Sequence, residues 1–424
     1  MNPEMNLSNE ELESIYLSEI TPESITPMFE AQRSKDYIPF INEDMEQWPD
    51  MLIDLMNNSA LHGAIVKSKI DQVSGKGFTW DVSAEGSDML AAWAGNINSE
   101  GEDLNEVLWK VSTDFEIHNG FALLVNWSKD WTTVISIEHV DFSKIRANKV
   151  CEKTGKVLSY WYSWDWTKQR AGKVNIPVFN IGTAKTNKDA YQQAVEKGNN
   201  EELQEMFLKP TTQIYYYKPY TPGEFYYPLP SYNGALSAIK TDILSDGYGL
   251  GTFENGLNAS MIVTFFNLMT PQSRNSAVKK FKAMHEGSRG KRTIYHFANK
   301  AEDALKVDKL DSNKADGVYT SVNENTLQKI LSAHRITDPI IVGISTAGGF
   351  GDAEKIKAAI NFWEATVIIP EQLEITKVFN KIMSINQFPD VWIDPLDLMP
   401  EEDSIVDEEV NSEVNTEPEP ETIV

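Results

Sequence analysis

The sequence predicts an α+β protein, with its strands gathered early and its long helices late. Between residues 121 and 217, short runs rich in aromatic and β-branched residues recur, as strands on a pleated surface require. From Tyr232 onward the apolar residues follow a 3.6-residue period. A long apolar-striped helix then meets Pro370, which removes an amide and bends it.

At 424 residues the chain can bury more than one core, and two or three lobes are expected. No apolar run reaches the roughly eighteen residues that span a bilayer, so no membrane association is expected. Met1-Asn-Pro-Glu-Met has neither a basic start nor an apolar run, so no signal peptide is expected. Cys151 is the only cysteine, which excludes an internal disulfide or a thiolate zinc site and suits a reducing, intracellular compartment. The formal net charge is -25. Ten of the carboxylates lie between Glu401 and Glu421, a stretch without a base, which reads as a disordered tail. Without those ten the balance is still -15. An acidic chain does not coat DNA phosphates, although it suits a surface past which DNA slides without sticking.

Residues 1–35 read as a peripheral arm with a short helix opened by a Ser8-x-x-Glu11 capping box. A helix over 59–73 places Leu61, Ile65, Val66 and Ile70 on one face and ends at Gly75 and Gly77; another runs over 104–117. Strands follow at 121–126, 133–138, 157–162 and 214–217, with Asn119-Gly120 and Thr154-Gly155 as turns. The stretch 167–211 is an insertion with a polar helix near 189–207 and no assigned task. Trp127, Trp131, Trp161, Trp164 and Trp166 allow two readings: a sugar-stacking surface, or filling of a β-rich core or an inter-subunit contact. The second is favoured, since no paired polar groups accompany them.

Leu236, Ile239, Ile243 and Leu244 open the helical half. Gly247, Gly249 and Gly251 weaken that helix, either fraying it or admitting a neighbouring backbone. A strand over 261–267, a helix opened by Thr270-Pro271 and reaching His285, and a strand over 292–297 follow. Between Pro271 and Lys314 eleven bases face five acids, including Arg274, Lys279, Lys280 and Lys282. Such a run is either a solvated face or a docking surface for an acidic partner or nucleic acid. A helix over 322–336 carries Leu327, Ile330, Leu331 and His334 on one face, His334 being read as a packed helix-end residue. Pro339 stops it, Ser345 to Gly351 form a small, Gly-rich loop, and Asp352 caps the helix with Ile356, Ala359, Ile360, Trp363 and Val367 in one stripe.

Catalytic patterns are missing. The sequence has no phosphate-binding G-x-x-x-x-G-K-[ST] loop, no G-x-G-x-x-G after a strand, no H-E-x-x-H, no Cys/His cluster and no G-x-S-x-G elbow. Neither an enzymatic activity, a cofactor nor a metal is expected.

The order of motifs resembles the portal proteins of tailed bacteriophages over about residues 50–388, outside the insertion. Tyr248, Phe253, Asn255 and Gly256 are similar to the end of that family's first stem helix. Residues 261–297 resemble its clip lobe. His334-Arg-Ile-Thr-Asp-Pro-Ile-Ile-Val-Gly343 resembles the turn ending the second stem helix, where the family carries an aliphatic-x-Pro-Pro-aliphatic-aliphatic-Gly run. Asn119-Gly-Phe-Ala122 and Val140-Asp-Phe-Ser-Lys-Ile-Arg146 resemble wing strands. Asp338 in place of the first proline and the three extra glycines of the stem are departures that bear on local geometry.

The resemblance implies an arm (1–35), a mixed α/β wing (36–230, insertion 167–211), a first stem helix (231–256), a small α/β clip (257–314), a second stem helix (315–337), a tunnel loop (338–351), a long kinked wing or crown helix (352–388) and an acidic tail (389–424). It further implies a homo-oligomeric ring of about twelve subunits at one capsid vertex. Double-stranded DNA passes through such a ring during packaging and ejection. The major capsid protein, a terminase and a head-tail adaptor are its partners; the location is the virion, and the host cytoplasm during assembly. Ser345, Thr346, Ala347, Gly348, Gly349, Phe350 and Gly351 would then face DNA, and Arg274, Lys279, Lys280 and Lys282 would dock partners. The alternatives are a non-catalytic carbohydrate- or protein-binding module, suggested by the eleven tryptophans, and a carboxylate hydrolase.

Overall fold

The computed structural model describes residues 37–39, 48–167, 172–254, 262–266, 276, 279, 294–298, 312–343 and 353–396. Helices α1 (Trp48–Asn58) and α2 (Ala60–Ser74) are separated by Ser59 alone, whose hydroxyl accepts from the His62 amide at 3.1 Å and so caps α2. Gly63 lets α2 close on α1: a Cβ there would lie 2.4 Å from the Met56 carbonyl oxygen. Ile65, Val66, Ile70 and Val73 are buried, and α2 ends at Gly75 in a positive-φ turn (φ 55°). After β1 (Phe78–Trp80) and α3 (Ser87–Ala94) comes α4 (Leu104–His118). Its N-terminus carries a reciprocal box: Asp103 accepts from the Glu106 amide at 2.8 Å, and Glu106 accepts from the Asp103 amide at 3.0 Å. Asn119, left-handed at φ 59°, closes it. Val107, Leu108, Val111 and Phe115 pack this helix into the core beside α2.

Strands β2 (Phe121–Trp127), β3 (Val134–Val140), β4 (Ile145–Ala147), β5 (Ser159–Tyr162) and β6 (Val174–Pro177) follow, then α5 (Ile181–Lys197), α6 (Asn200–Leu208) and β7 (Thr212–Tyr217). They make two antiparallel sheets, ordered β3-β2-β7 and β4-β5-β6. Tyr160 of one sheet stacks on Tyr216 of the other with ring centroids 4.1 Å apart. Each expected strand is present, shifted by two residues or fewer at each end. The expected polar helix over 189–207 is instead two helices. Gly198 turns left-handed (φ 64°) and ends α5, and the Asn199 side chain accepts from the Glu202 amide to start α6. Trp127 and Trp131 are core residues, with Trp127 stacked on Phe179, whereas Trp164 is exposed.

The helical half contains α7 (Leu236–Glu254), β8 (Ile262–Phe266), β9 (Ile294–Ala298), α8 (Ser312–Ala333), α9 (Ala353–Trp363), α10 (Ile369–Met383) and β10 (Val391–Ile393). Helix α7 runs unbroken through its three glycines, and a Cβ at Gly247 would meet open space. Neither expected role for these glycines applies at that position. Strands β8 and β9 pair in parallel, which demands a crossover, and Ser276 and Lys279 between them are helical. Helix α8 begins ten residues before the expected 322. Its first turns, Ser312-Asn-Lys-Ala-Asp-Gly, carry no apolar stripe for periodicity to detect, yet α8 packs against α7. Strand β10 pairs with β1 (Phe78↔Ile393, Trp80↔Val391), so residues 391–393 within the expected tail region are structured and close the core.

The interruption in the last long helix is a π-helical turn over Glu364–Ile368, and α10 resumes with Pro370 as its second residue. A regular α-turn would bond the residue-370 amide to the Thr366 carbonyl, and proline has no such amide. Arg335 supplies a donor instead, its guanidinium lying 2.6 Å from the Thr366 oxygen.

Candidate functional site

The loop residues Ser345, Thr346, Ala347, Gly348, Gly349, Phe350 and Gly351 lie outside the described residues, as do Arg274, Lys280, Lys282 and the expected cap Asp352. Lys279 is helical and exposed. What the structure describes is the foundation on either side of that loop. After α8, Arg335 is left-handed (φ 59°), and Asp338 accepts from the Ile340 amide at 3.0 Å, capping a 3-10 turn over Pro339–Val342. Gly343 (φ 74°) turns the chain toward the loop, and the chain returns at Ala353.

Beneath this junction sits a buried polar cluster drawn from both halves of the chain. His62 Nδ1 of α2 lies 3.0 Å from His334 Nε2 at the end of α8. Tyr232 stacks on His334 at 5.1 Å and meets the His62 ring edge-on at 4.4 Å; its hydroxyl donates to the Ile117 carbonyl at 2.8 Å. Burial lowers the His62 pKa to about 4 and puts His334 well below its ordinary value, with His62 and Lys69 adding to the second shift. Both imidazoles are therefore neutral near pH 7, and one donates to the other. His334 is packed, as its helix-end position suggests.

Lys69 of α2, 2% exposed, bonds Glu116 of α4 at 2.5 Å and Glu371 in the first turn of α10 at 3.0 Å. Burial opposes the Lys69 charge, but the two carboxyl groups outweigh it and raise its pKa. Burial first, then the Glu371 charge, push Glu116 up to about 8, against the pull of Lys69. Glu116 therefore keeps its proton near pH 7, beside the Lys69 ammonium. Gln372, next along α10, donates to the Gln72 and Val73 carbonyls at 3.0 and 3.3 Å and so satisfies the end of α2. These contacts tie α2, α4, α8 and α10 together at the base of the loop. With Lys69 and Glu116 each 2% exposed, the cluster is shielded from solvent, and its chemistry is that of a fastening.

Sequence reading found His334 but not Lys69, Glu116, Glu371 or His62 as members of one cluster. The signal was present for Lys69, which falls four residues after Ile65 on the apolar stripe of α2. Glu116 likewise stands eight residues after Leu108, on the inward face of α4. A charged residue on a buried stripe implies a buried partner.

No protein-family model matches the sequence, and no curated protein matches it. Solved structures do match. A chain of the virion of a native gene transfer agent particle superposes with a TM-score of 0.50, covering 82% of this chain and 83% of that one at 10% identity. A chain of the neck of an empty gene transfer agent particle, computed with C6 symmetry, gives 0.52 over 83% and 85% at 10% identity. The chain shares the fold of these two chains. At this identity the likeness is one of fold, and it agrees with the resemblance to portal proteins read from the sequence. The portal-like α+β architecture thus extends over more than four fifths of the chain and includes both the sheet half and the helical half.

Proposed function

We propose that this protein is a portal-type subunit of a head-tail connector. In this reading copies form a ring at one capsid vertex of a virion, double-stranded DNA passes through its channel, and terminase and adaptor dock on it in turn. The observation that carries the proposal is the fold shared with the neck of a gene transfer agent particle over 83% of the chain.

Surface chemistry supports it. The α9–α10 region is apolar on two sides: Trp363, Val367, Ile375 and Phe379 face the core, while Phe362, Ile369 and Leu373 are exposed. Helix α7 exposes Leu244, Tyr248 and Leu250. Large apolar side chains exposed at helical spacing beside a buried face are suited to cover by a neighbouring copy. The net charge of -25 also fits a channel wall, since like charge keeps phosphates from being trapped as DNA slides.

Negative-stain imaging with mass measurement of the purified chain tests the proposal. Annular particles with an axial hole and a mass that is a multiple of 47.8 kDa are the expected result. A species that stays at 47.8 kDa at high micromolar concentration would overturn it.

A further inference from the structure

Away from the fastening cluster, a groove of about 640 Å³ opens beside β7, walled by Tyr160, Phe179, Tyr215, Lys218 and Lys381. Strand β7 pairs with β2 along one edge from Thr212 to Tyr217. Along the other edge Val178 bridges Ile214, with the Phe179 amide donating to the Ile214 carbonyl at 2.8 Å. The chain then turns away, because Asn180 caps α5 through the Thr183 amide. Backbone groups of a strand alternate in direction, so the Tyr216 amide and carbonyl point the same way as the Ile214 carbonyl. Among the described residues no strand lies beside them. A strand position is therefore begun by Val178 and left vacant at Tyr216.

Two lysines, Lys218 and Lys381, line the groove, and the Glu374 carboxylate accepts from the hydroxyl of groove-lining Tyr217 at 2.6 Å. Lys218 Nζ donates to the neutral Glu224 carbonyl at 3.1 Å, and burial lowers its pKa. Lys381 Nζ donates to the Tyr215 hydroxyl at 3.1 Å and lies 5.7 Å from that ring. Neither contact brings a carboxylate, although the Glu224 charge acts on Lys218 from nearby.

We infer that this groove receives the acidic segment 401–421 of the same polypeptide, laid along the open edge of β7 with its carboxylates toward Lys218 and Lys381. Charge is one argument: that segment holds ten carboxylates and no base. Distance is the other. The described chain leaves from β10, whose Val391 exchanges two hydrogen bonds with the Asn380 side chain, at 2.8 and 3.0 Å, immediately next to Lys381. The chain stays paired beyond Val391 as far as Asp394, which bonds Gly77 and Lys76, so seven steps remain to Glu401, a reach of up to about 25 Å when extended. This span covers the width of α10, about 10–12 Å, about twice over. The inference does not depend on the ring, because the segment can fill the groove of its own copy or of a neighbour.

The test uses the chain ended after Pro400 and a fluorescein-labelled peptide of residues 401–421, followed by anisotropy. Saturable binding to the shortened chain is expected, weaker binding to the full chain whose groove is already filled, and a loss of about tenfold or more with Lys218→Glu plus Lys381→Glu. Lys381→Ala alone, at an exposed position, should weaken binding without altering the circular dichroism spectrum, which separates groove loss from misfolding. No saturable binding by the shortened chain, or binding untouched by the lysine changes, overturns the inference. Imaging of the same shortened chain is independent: rings without peptide binding would retain the proposed function and remove only the groove's occupant.

Discussion

Glu116, buried to 2% exposure between Lys69 and Glu371, is least costly to bury while it keeps its proton. The native pKa of Glu116, about 8, lies above the ordinary 4.5, so folding takes up a proton between those values. Stability from this group is therefore full below about pH 4.5 and is lost as pH rises toward 8. Glu116→Gln keeps an oxygen for Lys69 and removes the titration. Urea midpoints at pH 5 and pH 8 should fall for the native chain and differ less for the variant, with a ceiling of about 1.4 kcal/mol per pH unit for one proton. An equal slope in both would show that Glu116 does not carry it. Lys69→Met should cost about 3 kcal/mol near pH 8, because it leaves the carboxyl pair buried without its cation. Adding Glu116→Gln to Lys69→Met should restore part of that loss.

At the scale of elements, the positions readable in advance are those where local chemistry and burial agree. Ser59 and Gly75 bound α2, Asn119 closes α4, and the 3.6-residue stripes of both helices are buried. The start of α8 was not legible from periodicity, because its first turns have no apolar stripe, whereas the resemblance to portal proteins had implied a helix from 315. Nor was β10, three residues long and defined by its distant partner β1. The π-turn was hidden for another reason: proline predicts a disturbance, but the Arg335–Thr366 bond that accommodates it spans 31 residues. Asp103→Ala removes one half of the α4 box and should lower stability by about 1 kcal/mol, read by thermal unfolding. The segment between Gly343 and Ala353 is flanked by the capped turn over Pro339–Val342 and by α9, so the proposed DNA contact predicts a separation of effects. Replacing Gly348 and Gly349 by Pro should leave ring assembly intact and impair DNA packaging in a reconstituted assay. Normal packaging would remove the loop from the DNA path. Reversing Lys279, Lys280 and Lys282 to Glu should likewise spare the ring and abolish terminase capture; unchanged capture would leave that basic run as a solvated face.

For the whole molecule, the proposed function raises the question of how one chain would close a ring without a twofold contact. Cyclic assembly beyond a pair needs two different surfaces per copy, each matched to the other. The chain has two separate exposed apolar sets, one on α9–α10 (Phe362, Ile369, Leu373) and one on α7 (Leu244, Tyr248, Leu250). Burying either set contributes on the order of 25 cal/mol per Å² of apolar area, a sizeable driving force when repeated at every contact of a ring. Phe362→Glu with Leu373→Glu disables the first set, and Leu244→Glu with Tyr248→Glu disables the second. All four positions are exposed, so each variant should remain folded by circular dichroism and sediment as a single chain. An equal mixture retains one intact copy of each surface, on different chains, and should therefore stop at pairs rather than close. Rings formed by either variant alone would show that the altered surface faces solvent in the assembly. A mixture that yields no pairs would show that the two sets do not meet each other.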